Sequence, residues 1–153
     1  MSRWKRGEAT VAKTVDRPSP PTDLRRDERG AGVAGQGRQD LVQCGPRRGL
    51  GPGKCARPAY DAGRQIGTGL LAQQGLRPTT AGGHVAVTRA VIDQFNGRFT
   101  GLDALRRRNE LQYPLYPGDL VESHEAEAAI ATVRGLLVDA SALLPSIGFF
   151  TER

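Results

Sequence analysis

Residues 58–78, PAYDAGRQIGTGLLAQQGLRP, predict the first helix of the chain by the spacing of their apolar side chains. Pro58 suits the first turn of a helix, where its missing N–H is not needed. Steps of three and four place one set of residues on a single face: Ala59, Gly63, Ile66, Gly67, Leu70 and Gln74. Because a glycine inside a helix costs about 1 kcal/mol relative to alanine, Gly63 and Gly67 on this face indicate the close approach of a neighbouring helix. Gly75, with a proline three residues later, predicts the end of the helix.

Two more helices are predicted between the turn at residues 79–83 and the loop at residues 113–118. The second helix ends at Asn96 and Gly97, and its inward face carries His84, Thr88, Val91, Ile92 and Phe95. The third helix covers residues 99–112, and its inward face turns from apolar to polar halfway along: Phe99, Leu102, Leu105, Asn109 and Gln112. The two prolines and the glycine of the following loop end this helix.

A fourth helix is predicted up to Pro145, with Asp119 or Ser123 as the residue that caps its start. Three acidic residues lie near this start, where the helix dipole favours negative charge: Glu122, Glu125 and Glu127. Its inward face, which Leu136 and Leu143 widen, is formed by Ala126, Ala129, Ile130, Val133, Leu137, Ala140 and Leu144. Three or four helices with connectors of this length are typical of a small antiparallel helical bundle, so we expect an all-α fold.

The positive charge of the chain lies in its first third. The whole chain has a formal net charge of +6, whereas residues 1–57 alone contain 13 Lys and Arg against 6 Asp and Glu. The remaining 96 residues are nearly neutral, with 9 basic and 10 acidic side chains. Residues 1–57 are rich in Gly, Pro and Arg and show no sustained apolar period, so we expect them to be largely disordered or to be translated from the wrong reading frame. The expected organisation is therefore a helical domain at 58–147 and a short tail at 148–153.

Composition and cysteine content narrow the classes of protein further. No stretch approaches the ~20 consecutive apolar residues of a membrane helix, and no secretion signal precedes the domain. We therefore expect a cytoplasmic protein that does not contact a membrane. Cys44 and Cys55 have no nearby histidine, and two ligands are too few for a zinc site. The sequence thus predicts neither a metal nor a cofactor.

The segment Arg106-Arg-Arg-Asn-Glu-Leu-Gln-Tyr113 is the part of the chain with a distinct chemistry. Asn109 shares a helix face with Leu102 and Leu105, and a buried amide needs hydrogen-bond partners within the bundle, across a dimer or from a ligand. Tyr113 follows Asn109 by four residues, so its ring lies over the same side of the helix. The residues alone also fit a structural interpretation, in which the arginines are solvated and the asparagine is a satisfied core residue.

Three parts of the sequence resemble HEPN domains. These are Ala59-Tyr-Asp-Ala62, the connector Gly75-Leu-Arg-Pro-Thr-Thr-Ala-Gly-Gly-His84, and Leu102-Asp-Ala-Leu-Arg-Arg-Arg-Asn-Glu-Leu-Gln-Tyr-Pro114. The resemblance covers roughly residues 56–147 and includes the acidic start of the last helix. It implies a small helical bundle, usually dimeric. Many members of the family are metal-independent ribonucleases, toxins paired with nucleotidyltransferase-type antitoxins, or nucleotide-binding accessory proteins.

The catalytic signature of that family is an arginine, a polar residue, a few arbitrary residues and then a histidine. Arg108 and Asn109 match its opening, but Tyr113 occupies the histidine position. An imidazole titrates near pH 6.5 and exchanges protons at neutral pH, whereas a phenol that titrates near 10 is a poor base there. The resemblance therefore implies contact with phosphate or RNA through Arg108 more readily than cleavage.

Further candidates for phosphate or substrate binding are Arg106, Arg107 and His84. His84 also fits a second role, as a cap or partner for the connector before its helix. His124 lies eleven residues after Tyr113, across the proline loop, and at the wrong end of another helix to replace the missing histidine in a simple way.

Three functional hypotheses follow. The first is a HEPN-like module that dimerises through the helix bearing Asn109 and associates with RNA or a nucleotide, with weak or no catalysis. The second is a metal-independent endoribonuclease toxin, in which Arg108 stabilises the phosphate while Asn109 and Tyr113 position it. The third is a non-catalytic structural or regulatory helical bundle.

Overall fold

The computed structural model describes residues 15–16, 52–78, 83–95, 97–105 and 122–148, together with the isolated positions 32, 35 and 39. Its elements in chain order are β1 (Val15–Asp16), α1 (Pro52–Gln73), β2 (Arg77–Pro78), α2 (Gly83–Phe95), α3 (Gly101–Ala104) and α4 (Ser123–Leu143), followed by a 3₁₀ turn at Leu144–Ser146. The two short strands pair antiparallel, with Val15 opposite Pro78. All longer elements in the described part are helices, so the predicted all-α class is confirmed.

Helix α1 is the centre of the fold. Between residues 56 and 76, Arg57 is the one exposed residue, and every member of the predicted inward face is buried. Helix α4 packs along α1, and α2 packs against it as well. A helix that is enclosed on nearly all sides forms the core of a bundle rather than one of its faces.

The start of α1 differs from the sequence prediction. The helix begins at Pro52, six residues before Pro58, which lies inside it. A proline within a helix removes one backbone hydrogen bond, which is why its presence suggested a boundary. The additional turn is stabilised by core packing, because Ala56 is fully buried in the same apolar cluster as Ala59.

The end of α1 confirms the prediction made for Gly75. Its φ is 76°, the left-handed conformation that glycine adopts without a steric penalty. Gly75 N–H donates to the carbonyl of Ala72 at 2.9 Å, and Leu76 N–H donates to the carbonyl of Leu71 at 3.0 Å. This pair of bonds is the Schellman motif, which satisfies carbonyls that the helix end leaves unpaired. Leu76 is 2% exposed and thereby returns the chain to the core.

Close approach to α1 occurs at the two glycines that the sequence singled out. A Cβ atom at Gly63 would overlap Cδ1 of Leu105. At Gly67 it would lie 3.0 Å from Cγ1 of Val87, which belongs to α2. A third glycine, Gly101, makes a similar approach to α4, where a Cβ would lie 2.8 Å from Cγ2 of Thr132. The absence of side chains at these positions lets the elements pack more closely than any other residue allows.

Helix α2 has the predicted extent but a rotated inward face. It ends at Phe95, and Gly97 follows with a φ of 77°. The buried residues are Ala86, Val87, Ala90, Val91 and Gln94, whereas Thr88, Ile92 and Phe95 are half-buried. The prediction is therefore right for Val91 and wrong for the centre of the face, because the small residues Ala86 and Ala90 lie against the core.

The described part of the third helix is shorter than predicted. It covers Gly101–Ala104 within the predicted 99–112, and residues 106–112 lie outside the described part of the chain. Phe99 precedes it in a turn and packs edge-on against Phe95, with ring centroids 5.7 Å apart. Phe99, Leu102 and Leu105 are all buried, as the predicted inward face requires.

Helix α4 corrects the predicted cap. Glu122 occupies the N-cap position, Ser123 is the first helical residue, and no side-chain hydrogen bond caps this end among the described residues. Asp119, the other candidate cap, lies outside the described part. The inward face is confirmed, with Ile130, Leu137 and Leu144 half-buried and these residues buried: Ala126, Ala129, Val133, Leu136, Ala140 and Leu143.

One helix of the described part reaches the length of a membrane span. Residues Ser123–Ser146 form 24 helical residues, and an 18-residue window within them has a mean hydropathy of 1.4 and is 28% buried. By length and composition alone this helix is able to cross a bilayer, and the core helix of a bundle passes the same test. Arg134 and Asp139 lie within it, and each is costly in hydrocarbon.

The packing at Gly63 predicts that Gly63→Val lowers the free energy of unfolding by about 1–3 kcal/mol, because the added methyl groups have no room beside Leu105. Urea denaturation followed by circular dichroism measures this change.

Gly32→Val is the matched control, since Gly32 is exposed and a Cβ there would meet none of the described atoms within 4 Å. We expect this variant to stay within about 0.5 kcal/mol of the parent chain, as exposed positions usually do. Equal losses at the two positions would contradict the close packing at Gly63.

Candidate functional site

The arginine-rich segment begins where the described part of α3 ends. Arg106, Arg107, Arg108, Asn109 and Tyr113 all lie outside the described residues, so their predicted roles stay predictions. The structure does describe the residues that lead into the segment. Leu102 and Leu105 are 4% and 7% exposed, so the chain is buried one residue before the first arginine.

The contacts of Leu105 fix the point from which the arginines start. Its side chain fills the space left by Gly63, and Cγ2 of Val133 borders the same space, 3.6 Å from where a Cβ at Gly63 would lie. Leu102 lies beside Gly67 in the same way, with its Cδ1 3.6 Å from the corresponding position. The entry to the arginine segment is thus held between α1 and α4 through two leucines.

Polar side chains of α1 lie on the same stretch of the helix as Gly63. Tyr60 is 3% exposed, and its hydroxyl donates to Oε1 of Glu125 in α4 at 3.2 Å. Asp61 and Arg64, one turn apart, form an ion pair with 3.9 Å between Oδ1 and Nε. A buried hydroxyl needs a hydrogen-bond partner, and Glu125 supplies it for Tyr60. This bond joins the acidic start of α4 to the central helix close to the entry of the arginine segment.

The two histidines of the chain lie at helix starts. His84 is the second residue of α2, and its side chain lies outside what the structure describes. His124 is the second residue of α4, and its side chain is 80% exposed, with Nδ1 3.0 Å from Oε2 of Glu122. The His124 imidazole therefore lies on the surface at the start of α4, beside the carboxylate of Glu122.

Two buried amides lack hydrogen-bond partners in the described part, which sequence reasoning did not identify, although it placed Gln74 on the inward face of the first helix. Gln74 is 1% exposed and Gln94 is 8% exposed, and neither amide group has a hydrogen-bond partner in the described part. An unpaired buried amide costs about 1–3 kcal/mol. A sequence signal exists for Gln94, which follows Val87 by seven residues and therefore shares its helix face.

The described residues include no group of three or more His, Cys, Asp and Glu side chains that could hold a metal ion. Of the two cysteines, Cys55 lies in the first turn of α1, and Cys44 lies outside the described part. The predicted absence of a metal and of a cofactor therefore stays a prediction.

Comparison with known proteins adds no further constraint. A scan against protein-family models, a search of curated proteins and a search of solved structures each found no match to this chain.

The burial of Gln74 predicts that Gln74→Met raises the free energy of unfolding by about 1–3 kcal/mol, because methionine has a similar shape and removes the cost of two unpaired polar atoms. Urea denaturation measures the difference.

Gln73→Met serves as the control, since Gln73 is also buried but takes part in an interaction. We expect no gain in stability for this variant. If Gln74→Met gained no more stability than Gln73→Met, the Gln74 amide would have a hydrogen-bond partner, and the prediction would be wrong.

Proposed function

We propose that this protein is a dimeric HEPN-like helical module that associates with RNA or a nucleotide, with weak or no catalysis. The arginine segment is its contact with phosphate. Arg108 supplies a planar fork of N–H donors, which suits phosphate oxygens, and Arg106 and Arg107 add positive charge next to it. The partners expected from the resemblance are a second copy of the chain, RNA, and a nucleotidyltransferase-type antitoxin.

The observation that carries this proposal is the anchoring of the chain just before Arg106. Leu102 and Leu105 are buried against the central helix at its two glycines, so the arginines follow a point of fixed position. A binding group that leaves a rigid element loses less conformational entropy when a ligand arrives. The same three arginines on a free tail would bind phosphate less tightly and without a preferred direction.

Weak catalysis is supported by the chemistry of the available side chains. Tyr113 replaces the histidine of the family signature, and a phenol is a poor base at neutral pH. His124 is exposed and faces Glu122 at the start of α4. The phenol at the histidine position therefore does not supply the general base that an efficient metal-independent ribonuclease needs.

The proposal predicts that the full-length protein binds single-stranded RNA or a nucleoside polyphosphate, and that Arg108→Ala weakens binding by about tenfold or more through loss of a charge-assisted hydrogen bond. Filter binding and a gel assay for RNA cleavage, carried out on the same samples, measure affinity and activity together.

Arg89→Ala is the matched control, because Arg89 is an exposed arginine of α2 outside the candidate site. We expect the affinity of this variant for RNA to stay within about twofold of the parent's, because an exposed charge outside the binding surface contributes little. RNA cleavage that Arg108→Ala abolishes would instead establish the endoribonuclease toxin. A folded protein without binding or cleavage would refute the proposal and favour the structural or regulatory bundle.

A further inference from the structure

The outer face of α4 is apolar along its length and lies in solvent. We call it the outer stripe, and its five residues are all exposed: Ala128, Ala131, Gly135, Val138 and Ala142. Val138 is 70% exposed, more than any other large hydrophobic residue that the structure describes. A Cβ at Gly135 would meet none of the described atoms within 4 Å, so the middle of the stripe is open.

The spacing of the outer stripe is that of a coiled-coil seam. Its members alternate at steps of three and four, which places them at successive a and d positions of two heptads. The stripe runs about 21 Å along the helix. Val133 and Ala140, at the opposite f positions, are fully buried in the core of the same chain. Helix α4 therefore has one seam for its own bundle and a second seam on its far side.

The apolar character of α4 exceeds what its own bundle buries. Within the helix Ser123–Ser146, an 18-residue window has a mean hydropathy of 1.4, yet only 28% of that window is buried. Small residues along the exposed seam allow two helices to approach closely, since no large side chain separates the backbones. The stripe is thus better suited to packing against another helix of small residues than to exposure to water.

The charges beside the outer stripe identify which helix that is. Arg134 occupies a g position on one flank, and Asp139 occupies an e position on the other, five residues later. Neither forms an ion pair with another described residue. When two parallel helices pair through a and d, a g residue of one helix meets the e residue five positions later on the other. In a parallel pair of identical helices, Arg134 of each copy therefore meets Asp139 of the other copy.

The antiparallel arrangement lacks this match. In that arrangement g residues face g residues and e residues face e residues. In the two registers that keep most of the stripe paired, Arg134 lies opposite Ser141 or opposite a second Arg134, and Asp139 finds no cation on its flank. The register that brings Arg134 opposite Glu127 slides the helices apart by one heptad and pairs only Ala128 with Ala131 of the stripe. Over the length of the stripe, the charges therefore match in the parallel orientation.

We propose that the outer stripe of α4 is the surface through which two copies of this chain form a parallel, two-fold symmetric dimer, with ion pairs between Arg134 and Asp139 on both sides. This inference gives the dimer of the proposed function a defined interface, and the interface lies on α4 rather than on the helix bearing Asn109. It stands on the exposure and the charges of α4, so RNA binding is a separate measurement whose failure leaves it unchanged.

Sedimentation equilibrium of the full-length chain tests the apolar part of the interface. The parent protein is expected to be a dimer at high micromolar concentration, and Val138→Glu is expected to weaken the dimer by about a hundredfold, because it places two carboxylates at facing d positions. Val85→Glu is the matched control, since Val85 on α2 is the other large hydrophobic residue with an exposed side chain in the described part of the chain. This control should sediment as the parent does, and circular dichroism verifies that both variants are folded.

Charge exchange tests the orientation. Arg134→Asp places two acidic residues opposite each other on both flanks, and Asp139→Arg places two basic residues there, so each variant alone should dimerise about tenfold more weakly. An equimolar mixture of the two restores both ion pairs and should dimerise as tightly as the parent. Arg89→Asp on α2 changes the net charge equally and should leave dimerisation unchanged.

A monomeric parent protein, an intact dimer in Val138→Glu, or a mixture that stays monomeric would each overturn the proposal. A monomer that co-sediments with vesicles of neutral phosphatidylcholine through Val138 would assign the stripe to a bilayer instead. A monomer in which the thiol of Val138→Cys resists alkylation by a water-soluble maleimide would assign it to another part of the same chain.

Discussion

The packing of Leu105 into the space at Gly63 is the contact on which the other features of the fold depend. A central helix that is buried on nearly all sides leaves little room for neighbours, and α1 makes that room by lacking side chains at Gly63 and Gly67. Leu105 and Val87 occupy these two places, and Val133 of α4 borders the first. Because protein interiors are close-packed, a methyl group added at Gly63 disturbs the packing of α1, of Leu105 after α3, and of α4 at once.

This packing connects the core to the chemistry that the sequence suggests. The same leucine that fills the space at Gly63 lies directly before Arg106, so the arginine segment begins one residue after a buried contact at the centre of the bundle. The Tyr60–Glu125 hydrogen bond joins α1 to the start of α4 near this point. The far side of α4 is then free to face another molecule, because its inward face is already used by α1. One helix pair thus supports both the proposed phosphate contact and the proposed dimer.

The sequence predicted the parts of the fold that depend on local rules. The end of α1 at Gly75, the close approach at Gly63 and Gly67, and the inward faces of α1 and α4 follow from residue type and helical period. The start of α1 did not follow, because burial of Ala56 extends the helix beyond Pro58, and tertiary packing is not visible in local propensity. The cap of α4 was missed for a related reason: Glu122 holds the N-cap position while its carboxylate faces His124. Helical spacing places Gln74 and Gln94 on inward faces, but it does not show that their amides are unpaired, since an amide on an inward face is ordinarily satisfied. For the candidate site, the residue types identified Arg108, Asn109 and Tyr113, and the structure adds the anchor that precedes them.

A double-mutant cycle between Gly63 and Leu105 tests the central packing most directly. In the parent chain, Gly63→Ala should destabilise the protein, since the new methyl group competes with Leu105 for the same space. In the Leu105→Ala background the same change should stabilise it by about 0.5–1 kcal/mol, because alanine is the better helix former and the space is empty. The predicted result is therefore a coupling free energy of about 1–3 kcal/mol with a reversal of sign. Additive effects within about 0.3 kcal/mol would show that the two residues do not meet, and would contradict the anchoring of the arginine segment.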